Sequence, residues 1–360
     1  MLRLRSLSAV LFRADTSITP HFPQNIKLAN MQQDGFIQLH VQNGQAVRAE
    51  LEAGLCAPQA HTSPKYLYDA LGSKLFEAIC ELPEYYPTRT EAAIFDAFGQ
   101  QIAESVGSGC TLIDLGAGNC AKAARLFPRL RPAQYVPVDI SIDFLRDTVG
   151  SLQQRFPEIA MLGVGMDFSE SLDLPAGVSA ARRLFFYPGS SIGNYTPQQA
   201  LAYLQRIRAA CGGDDSAHKG EGGLLIGVDL IKDHALLDAA YDDALGVTAA
   251  FNLNMLRHLN LLLDADFNVR QWQHRGFFNP ADNCVEMHLE ARVPLTVTWR
   301  GGNRTFAQGE RIHSESSYKY TQQSFASLLE RAGFELRHCW TDPQQWFMVC
   351  HARLASTGAS

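Results

Sequence analysis

From residue 110 onward the chain carries short runs that are apolar at nearly every position, at 111–115, 135–138, 160–166, 184–187 and 224–228. Each meets an acidic residue or a glycine at its end: Asp114, Asp139, Asp167, Gly189 and Asp229. Apolar side chains at successive positions face both sides of a sheet, so these runs read as strands of a parallel sheet covered on both faces. Helix signals fall between them. Ser141 is an N-cap for a helix over 142–154, and Thr196 followed by Pro197 caps one that runs to Cys211. This alternation predicts a doubly wound α/β sheet.

Residues 211–223, rich in glycine and polar side chains, read as a surface loop. Past Asp229 the rhythm changes. A helical stretch over 248–263 precedes β-like segments at 285–293, 295–299 and 312–320, with Gly301-Gly302-Asn303 as a turn. Together they predict an α+β insertion. Thr321 caps a further helix that Gly333 ends, and strands at 334–340 and 346–354 are close enough to pair as an antiparallel hairpin.

Composition narrows the class. Of 360 residues 46% are hydrophobic and 19% charged, which supports a sizeable core and argues against disorder. The net charge of −6, with no Lys/Arg-rich run, gives a nucleic-acid partner no electrostatic footing. The eight cysteines are scattered without a CxxC pair or zinc-type spacing, so they read as reduced thiols of a cytoplasmic protein and no metal is expected. No apolar stretch approaches the ~20 residues that span a membrane. Arg3, Arg5 and Arg13 surround an apolar patch at 7–12 that is too short for a signal peptide. Residues 1–36 are therefore expected to be a poorly ordered tail, with Met31 a candidate start. No heptad repeat demands a dimer, and a monomer is expected.

The turn Gly116-Ala117-Gly118 joins a buried strand to a helix, and Asp139 ends the next strand. Glycines admit close backbone approach, a helix N-terminus offers free N–H groups, and a carboxylate one strand over suits ribose hydroxyls. Both NAD and S-adenosylmethionine sites use this arrangement. A lone glycine turn is explained equally well as a ligand-free connection. Three acidic strand ends, Asp114, Asp139 and Asp167 (followed by Phe168), converge on the same crevice and outweigh that account. The antiparallel finish favours S-adenosylmethionine, because class I methyltransferases end so and NAD-binding Rossmann domains end on a parallel strand.

Further candidates lie elsewhere. The loop from Tyr187 to Asn194 should sit beside the reactive group, although a simple turn before the Thr196 cap explains it as well. Residues 83–91, dense in tyrosine and proline, read as an irregular lid for a small cation or amine, with Tyr66, Tyr68 and Phe76 just upstream. Ordinary packing accounts for Tyr66 and Tyr86. Glu315 and Ser317, two apart on a strand, share a face that is either solvated or grips a polar ring.

Several longer motifs resemble the L-histidine Nα-methyltransferases of ergothioneine biosynthesis. They are Tyr66-Leu67-Tyr68-Asp69 with Gly72-Ser73, Leu82-Pro83-Glu84-Tyr85-Tyr86-Pro87-Thr88-Arg89, Ile192-Gly193-Asn194, Ala240-Tyr241-Asp242-Asp243 with Gly246-Val247-Thr248, and Ser314-Glu315-Ser316-Ser317-Tyr318-Lys319. The resemblance covers roughly residues 37–354, and the 211–223 loop looks longer than the family needs. It implies a class I methyltransferase domain (90–232 and 320–354) that carries an α+β substrate-binding domain (37–89 and 233–319). By this resemblance Gly116, Lys122, Asp139, Asp167 and Phe168 hold S-adenosylmethionine. Asn194 and Tyr241 grip the substrate carboxylate. Glu315 and Ser317, with Ser316 between them, read the imidazole. Tyr85 lines the site, Tyr68 and Phe76 lie near the amine, the Gly189 carbonyl faces it, and Met287 sits in the side-chain pocket.

The implied reaction is in-line attack of a neutral amine on the sulfonium methyl, up to three times on one nitrogen, with no residue assigned as general base. Its product is Nα-trimethylhistidine (hercynine), the first intermediate of ergothioneine biosynthesis. The rivals are N-methylation of tryptophan or tyrosine, an NAD-dependent oxidoreductase and a non-catalytic cofactor-binding module.

Overall fold

The computed structural model describes residues 32–33, 35–39, 43–140, 142–212 and 222–355. Almost all of the expected N-terminal tail, Ser141 and positions 213–221 of the glycine-rich loop lie outside these residues. Two short strands, β1 (Gln32–Gln33) and β2 (Phe36–Gln38), precede helices α1 (Gly44–Cys56), α2 (Ala70–Cys80) and α3 (Tyr86–Val106). The alternating part follows as β3 (Thr111–Leu115), α4 (Ala121–Leu130), β4 (Gln134–Asp139), α5 (Ile142–Arg155), β5 (Ala160–Met161), β6 (Gly163–Gly165), β7 (Arg183–Tyr187), α6 (Pro197–Cys211) and β8 (Gly223–Asp229). After it come α7 (His234–Tyr241), α8 (Val247–Leu263), β9 (Trp272–Asn279), β10 (Cys284–Ala291), β11 (Leu295–Trp299), β12 (Gly302–Phe306) and β13 (Arg311–Tyr318). The last elements are α9 (Gln322–Arg331), β14 (Phe334–Thr341) and β15 (Phe347–Leu354).

The large sheet has the order β1-β2-β6-β4-β3-β7-β8-β15-β14, with β5 beside β4. Neighbours from β2 through β8 are parallel, whereas β15 enters antiparallel between β8 and β14. Every residue of β3 and β8 is buried, which is what an unbroken apolar run implies. Tyr203 and Leu204 of α6 and Phe325 and Leu329 of α9 cover one face. Ile102 of α3, Phe127 of α4 and Val149 of α5 cover the other. The N-cap expected at Thr196 is a full capping box, in which Thr196 and Gln199 each bond the other's backbone N–H.

A separate antiparallel sheet has the order β13-β10-β9, and β11 and β12 form a hairpin of their own. Their apolar side chains pack with the helices on either side of the parallel sheet in sequence. Leu51 of α1, Ile79 of α2, Leu237 of α7 and Met255 of α8 share one core with Trp272, Met287, Trp299, Phe306 and Ile312.

Several expectations change. Residues 83–91 are not wholly irregular: α3 begins at Tyr86, with Pro87 in its first turn, where a fixed φ and a missing N–H cost nothing. The turn read at 301–303 is tighter, because β12 already starts at Gly302 while Gly301 takes φ +102°. The run at 160–166 breaks at Leu162 into two strands. β9 carried no strand signal, since two of its four inward positions, Trp272, His274, Gly276 and Phe278, are not apolar side chains. β2 pairs parallel with β6 and so joins the large sheet, although the domain reading placed residue 37 onward with the insertion. No helix among the described residues is long and apolar enough to cross a membrane.

Candidate functional site

The glycine turn sits on the carboxyl end of β4. The N–H groups of Gly116 and Ala117 both donate to the Val138 carbonyl, at 2.9 and 3.1 Å, and the Gly118 N–H donates to the Asp139 carboxylate at 3.1 Å. Gly116 and Gly118 take φ of +69° and +50°, the left-handed region that side chains resist. A Cβ on Gly116 would lie 3.4 Å from the Phe168 ring, so Phe168 closes directly over the turn. Asp167 sits just beyond β6, its carboxylate accepting from the Ser169 N–H at 3.0 Å. Asp114 does not join this rim. Its carboxylate is buried and accepts from the Tyr135 hydroxyl at 2.7 Å, and burial pushes it up to about 7.

Lys122, in the first turn of α4, donates to Glu91 at 2.7 Å, and the other oxygen of Glu91 accepts from the Gly189 N–H at 2.8 Å. Glu91 thus ties the glycine-turn helix to the loop after β7. The sequence reading gave Glu91 no role. One signal for it existed: Gly227 stands in the middle of a fully buried strand, and a Cβ there would collide with the Glu91 carboxylate. A glycine inside a strand marks close approach by another group.

The second half of the site lies on the inner face of β9, β10 and β13. Cross-strand register sets Gly276, Met287 and Glu315 in one row and Phe278, Val285 and Ser317 in the next. Met287 is 2% exposed and Glu315 8%. The alignment of β13 with β10 slips beside Ser314: Met287 faces Glu315, but His288 faces His313. This bulge carries Glu315, Ser317 and Lys319 inward together. The Ser316 side chain points to the opposite face, where its hydroxyl meets the His313 Nε2 at 2.9 Å. Glu315 and Ser317, expected to read the ring, bring their side chains to the inner face, whereas Ser316, expected between them in the site, does not.

The Tyr241 hydroxyl, at the end of α7, donates to the Ser317 hydroxyl at 2.8 Å. Its backbone is fixed from behind by His274, whose Nε2 meets the Tyr241 carbonyl at 2.8 Å, and by Gly276, where any Cβ would strike that carbonyl. Asn194 arrives on the turn Ser191–Asn194, which lies against β13. A Cβ on Gly193 would come within 2.8 Å of the Tyr318 carbonyl and 3.4 Å of the Ser317 hydroxyl, so the bare glycine lets Asn194 approach the Ser317 row. Tyr68, Phe76, Tyr85 and Tyr241 form a chain of edge-on rings with centroids 5.5, 6.1 and 6.2 Å apart. Tyr85 of the 83–91 stretch is thus in ring contact with the upstream Phe76, and the row ends on Tyr241.

One atom stands out. Among the described residues the Glu315 Oε2 is the one buried carboxylate oxygen with no hydrogen-bond partner. Burial pushes this carboxyl up to about 7, against the opposing pull of Lys319. An ordinary glutamate releases its proton near 4.5, so the native state binds more protons than the unfolded chain between those values. Stability then falls as pH rises through that window and stays lowered above it. Glu315→Gln removes the effect. In the absence of ligand the variant is expected to be on the order of 2 kcal/mol more stable than wild type at pH 8, and equal to it at pH 4.5. Thermal or urea melts at the two pH values check this.

Among the described residues no group of three or more His, Cys, Asp or Glu is placed to hold a metal. A parallel sheet with a glycine turn and acidic strand ends on one rim, closed by an antiparallel strand inserted beside β8, defines a class I, S-adenosylmethionine-dependent methyltransferase. The chain belongs to the histidine-specific, S-adenosylmethionine-dependent methyltransferases, whose family profile matches residues 47–354. It is 37% identical over 305 residues to the histidine N-alpha-methyltransferase of Mycolicibacterium smegmatis, covering 83% of this chain and 92% of that protein. It is likewise 37% identical over 304 residues to the enzyme of that name from Mycobacterium tuberculosis, with 82% and 91% covered. Ergothioneine biosynthesis protein 1 of Neurospora crassa is 30% identical over 282 residues, which are 76% of this chain and 31% of that longer protein.

Proposed function

We propose that the protein transfers three methyl groups in turn to the α-nitrogen of L-histidine, forming hercynine, the first step of ergothioneine biosynthesis. The observation that carries this reading is the Glu315 Oε2, unpartnered among the described residues, set beside Met287 and one same-face row from Ser317. A buried acceptor without a donor costs about 1–3 kcal/mol, and an imidazole N–H would supply the donor. The second ring nitrogen would meet Ser317. An indole has one nitrogen for these two side chains, and a phenol places donor and acceptor on a single atom. The family and the names of the relatives support the same substrate.

The residues present fit S-adenosylmethionine. The bare Gly116 lets the Phe168 ring close on the glycine turn, where it would border a bound nucleoside, and Asp139, held by the Gly118 N–H, would accept from the ribose hydroxyls. Asp167 would accept from the adenine amino group and Lys122 would pair with the donor's carboxylate. Bound there, the donor supplies an electrophilic methyl on a sulfonium. Asn194 and Tyr241 would receive the substrate carboxylate, and the Gly189 carbonyl would accept an N–H of the amine and aim its lone pair. Such alignment is worth up to roughly 7–11 kcal/mol. Positive charge moves from sulfur to nitrogen, so the pocket has no charge to create. The faces of Tyr68, Phe76 and Tyr85 suit a growing methylammonium, and no side chain is needed as an obligatory base. In this scheme 90–232 and 320–354 carry the donor, and 233–319 with the helices before residue 90 carry the substrate.

The test is mass spectrometry of free histidine incubated with the protein and S-adenosylmethionine. One, two and three added methyl groups, all on the α-nitrogen, are expected. A ladder with tryptophan or tyrosine and none with histidine would replace this reading by the rival one.

A further inference from the structure

Lys319 lies one residue past the end of β13, two residues after Ser317, and its side chain is fully enclosed. Its ammonium has three donors and three acceptors in reach: the Tyr241 hydroxyl at 2.9 Å, the Ser317 hydroxyl at 2.7 Å and the Asp229 carboxylate at 2.9 Å. Asp229 also accepts from the Tyr86 hydroxyl, at 2.7 Å on the oxygen that meets Lys319, and from Lys232 on its other oxygen, and its N–H donates to the Ser190 hydroxyl at 2.8 Å. Burial works against the charge on Lys319, but Asp229 and Tyr241 outweigh it and keep the ammonium protonated. The anchor is thus a strand end of the rigid parallel sheet, and the load is a pair of hydroxyls on the substrate side.

An ammonium can only donate. Its bond to Tyr241 fills an acceptor position on that oxygen and leaves the phenolic proton to be given away, at present to Ser317 at 2.8 Å. We propose that Lys319 is the positioning residue for the substrate's α-carboxylate. It does not touch the substrate; it fixes Tyr241 as a donor and polarises it, so that a neutral hydroxyl backed by a buried cation receives the carboxylate. The arrangement suits the chemistry. A cation in contact with the carboxylate would sit close to the nitrogen that gains positive charge, whereas one set back by a hydroxyl repels it less. The inference rests on the assignment of Tyr241 to the carboxylate made above.

The experiment compares L-histidine with L-histidinamide, which lacks the carboxylate charge, in wild type, K319M, K319R and Y241F. In K319M the KM for histidine is expected to rise about 10- to 100-fold, the range for a hydrogen bond to a charged group. The kcat/KM for histidinamide should fall much less, through the Ser317 contact that both substrates share, the Kd for S-adenosylhomocysteine should stay close to wild type, and K319R should recover part of the loss on histidine. Equal losses on both substrates in K319M, or no loss on histidine, would overturn the proposal and leave Lys319 a structural ion-pair partner. Y241F separates the two assignments. If it leaves the preference for histidine over histidinamide intact, the carboxylate reading fails; if it abolishes the preference and K319M does not, only the role of Lys319 fails. Should K319M not bind S-adenosylhomocysteine, the double variant K319Q/D229N removes both charges of the pair and carries the same comparison.

Discussion

Glu315→Ala is expected to lower kcat/KM for histidine by about 100-fold or more while the Kd for S-adenosylhomocysteine stays unchanged. The size follows from what the carboxylate does when the pocket is filled. On the proposed reading it would accept a ring N–H in a buried site, and hydrogen bonds to charged groups are worth about 1.5–3 kcal/mol each. The alanine also opens a space between Met287 and Ser317, so the ring loses its fixed orientation and the amine its alignment. The cofactor turn lies on another sheet, at the end of β4, and should not register the change. Steady-state kinetics with histidine and calorimetric titration with S-adenosylhomocysteine check the two halves. Unchanged turnover of histidine would remove Glu315 from the recognition of the ring. The same carboxylate that lowers the stability of the ligand-free protein at neutral pH is the one expected to give selectivity, so Glu315→Gln should trade activity for stability.

Asp139→Ala should act on the other half of the site. It is expected to weaken S-adenosylhomocysteine about 100-fold or more, from the loss of the two charge-assisted bonds proposed to the ribose hydroxyls. A second effect adds to it, because the Gly118 N–H would lose its acceptor and the turn its brace. Asp139→Asn keeps an acceptor for Gly118 but not the charge, and should fall between alanine and wild type. Calorimetry on the three proteins gives the order. At saturating donor the ratio of histidine to histidinamide turnover should be the same in all three. A variant that shifted this ratio would show that the cofactor rim and the carboxylate site are not independent.

The parts of the fold legible in the sequence are those where one physical rule dominates. β3, β7 and β8 are apolar at consecutive positions because the sheet is covered on both faces, and the Thr196 box is written in four adjacent residues. What was hidden depends on contacts between distant segments. β9 has a period of two, but His274 and Gly276 occupy inward positions because they hold Tyr241 in place. Glu91 looks like any glutamate of an amphipathic helix until Gly227, far along the chain, is seen to make room for it. Lys319 and Asp229 were visible as a motif residue and a strand end, yet nothing local announces that they pair. Ser316 shows the converse limit: adjacency to Glu315 and Ser317 suggested a shared role, while strand geometry turns its side chain away.

The slip beside Ser314 has a consequence for how specificity in this pocket can change. Across β10 and β13 the inward pairs are Leu289 with Ile312 before the slip, and Met287 with Glu315 and Val285 with Ser317 after it. Recognition is therefore encoded in the parity of the strand. Point substitutions edit one character of it at a time. Loss of a single residue at 313–314 would only remove the slip and leave Glu315 opposite Met287, whereas closing the slip with every residue kept would exchange the whole set, turning Glu315, Ser317 and Lys319 outward and presenting Ser316 and Tyr318 to the ligand. A shift of register by one residue in this strand, rather than a succession of replacements, would be the shortest path to a pocket of different polarity.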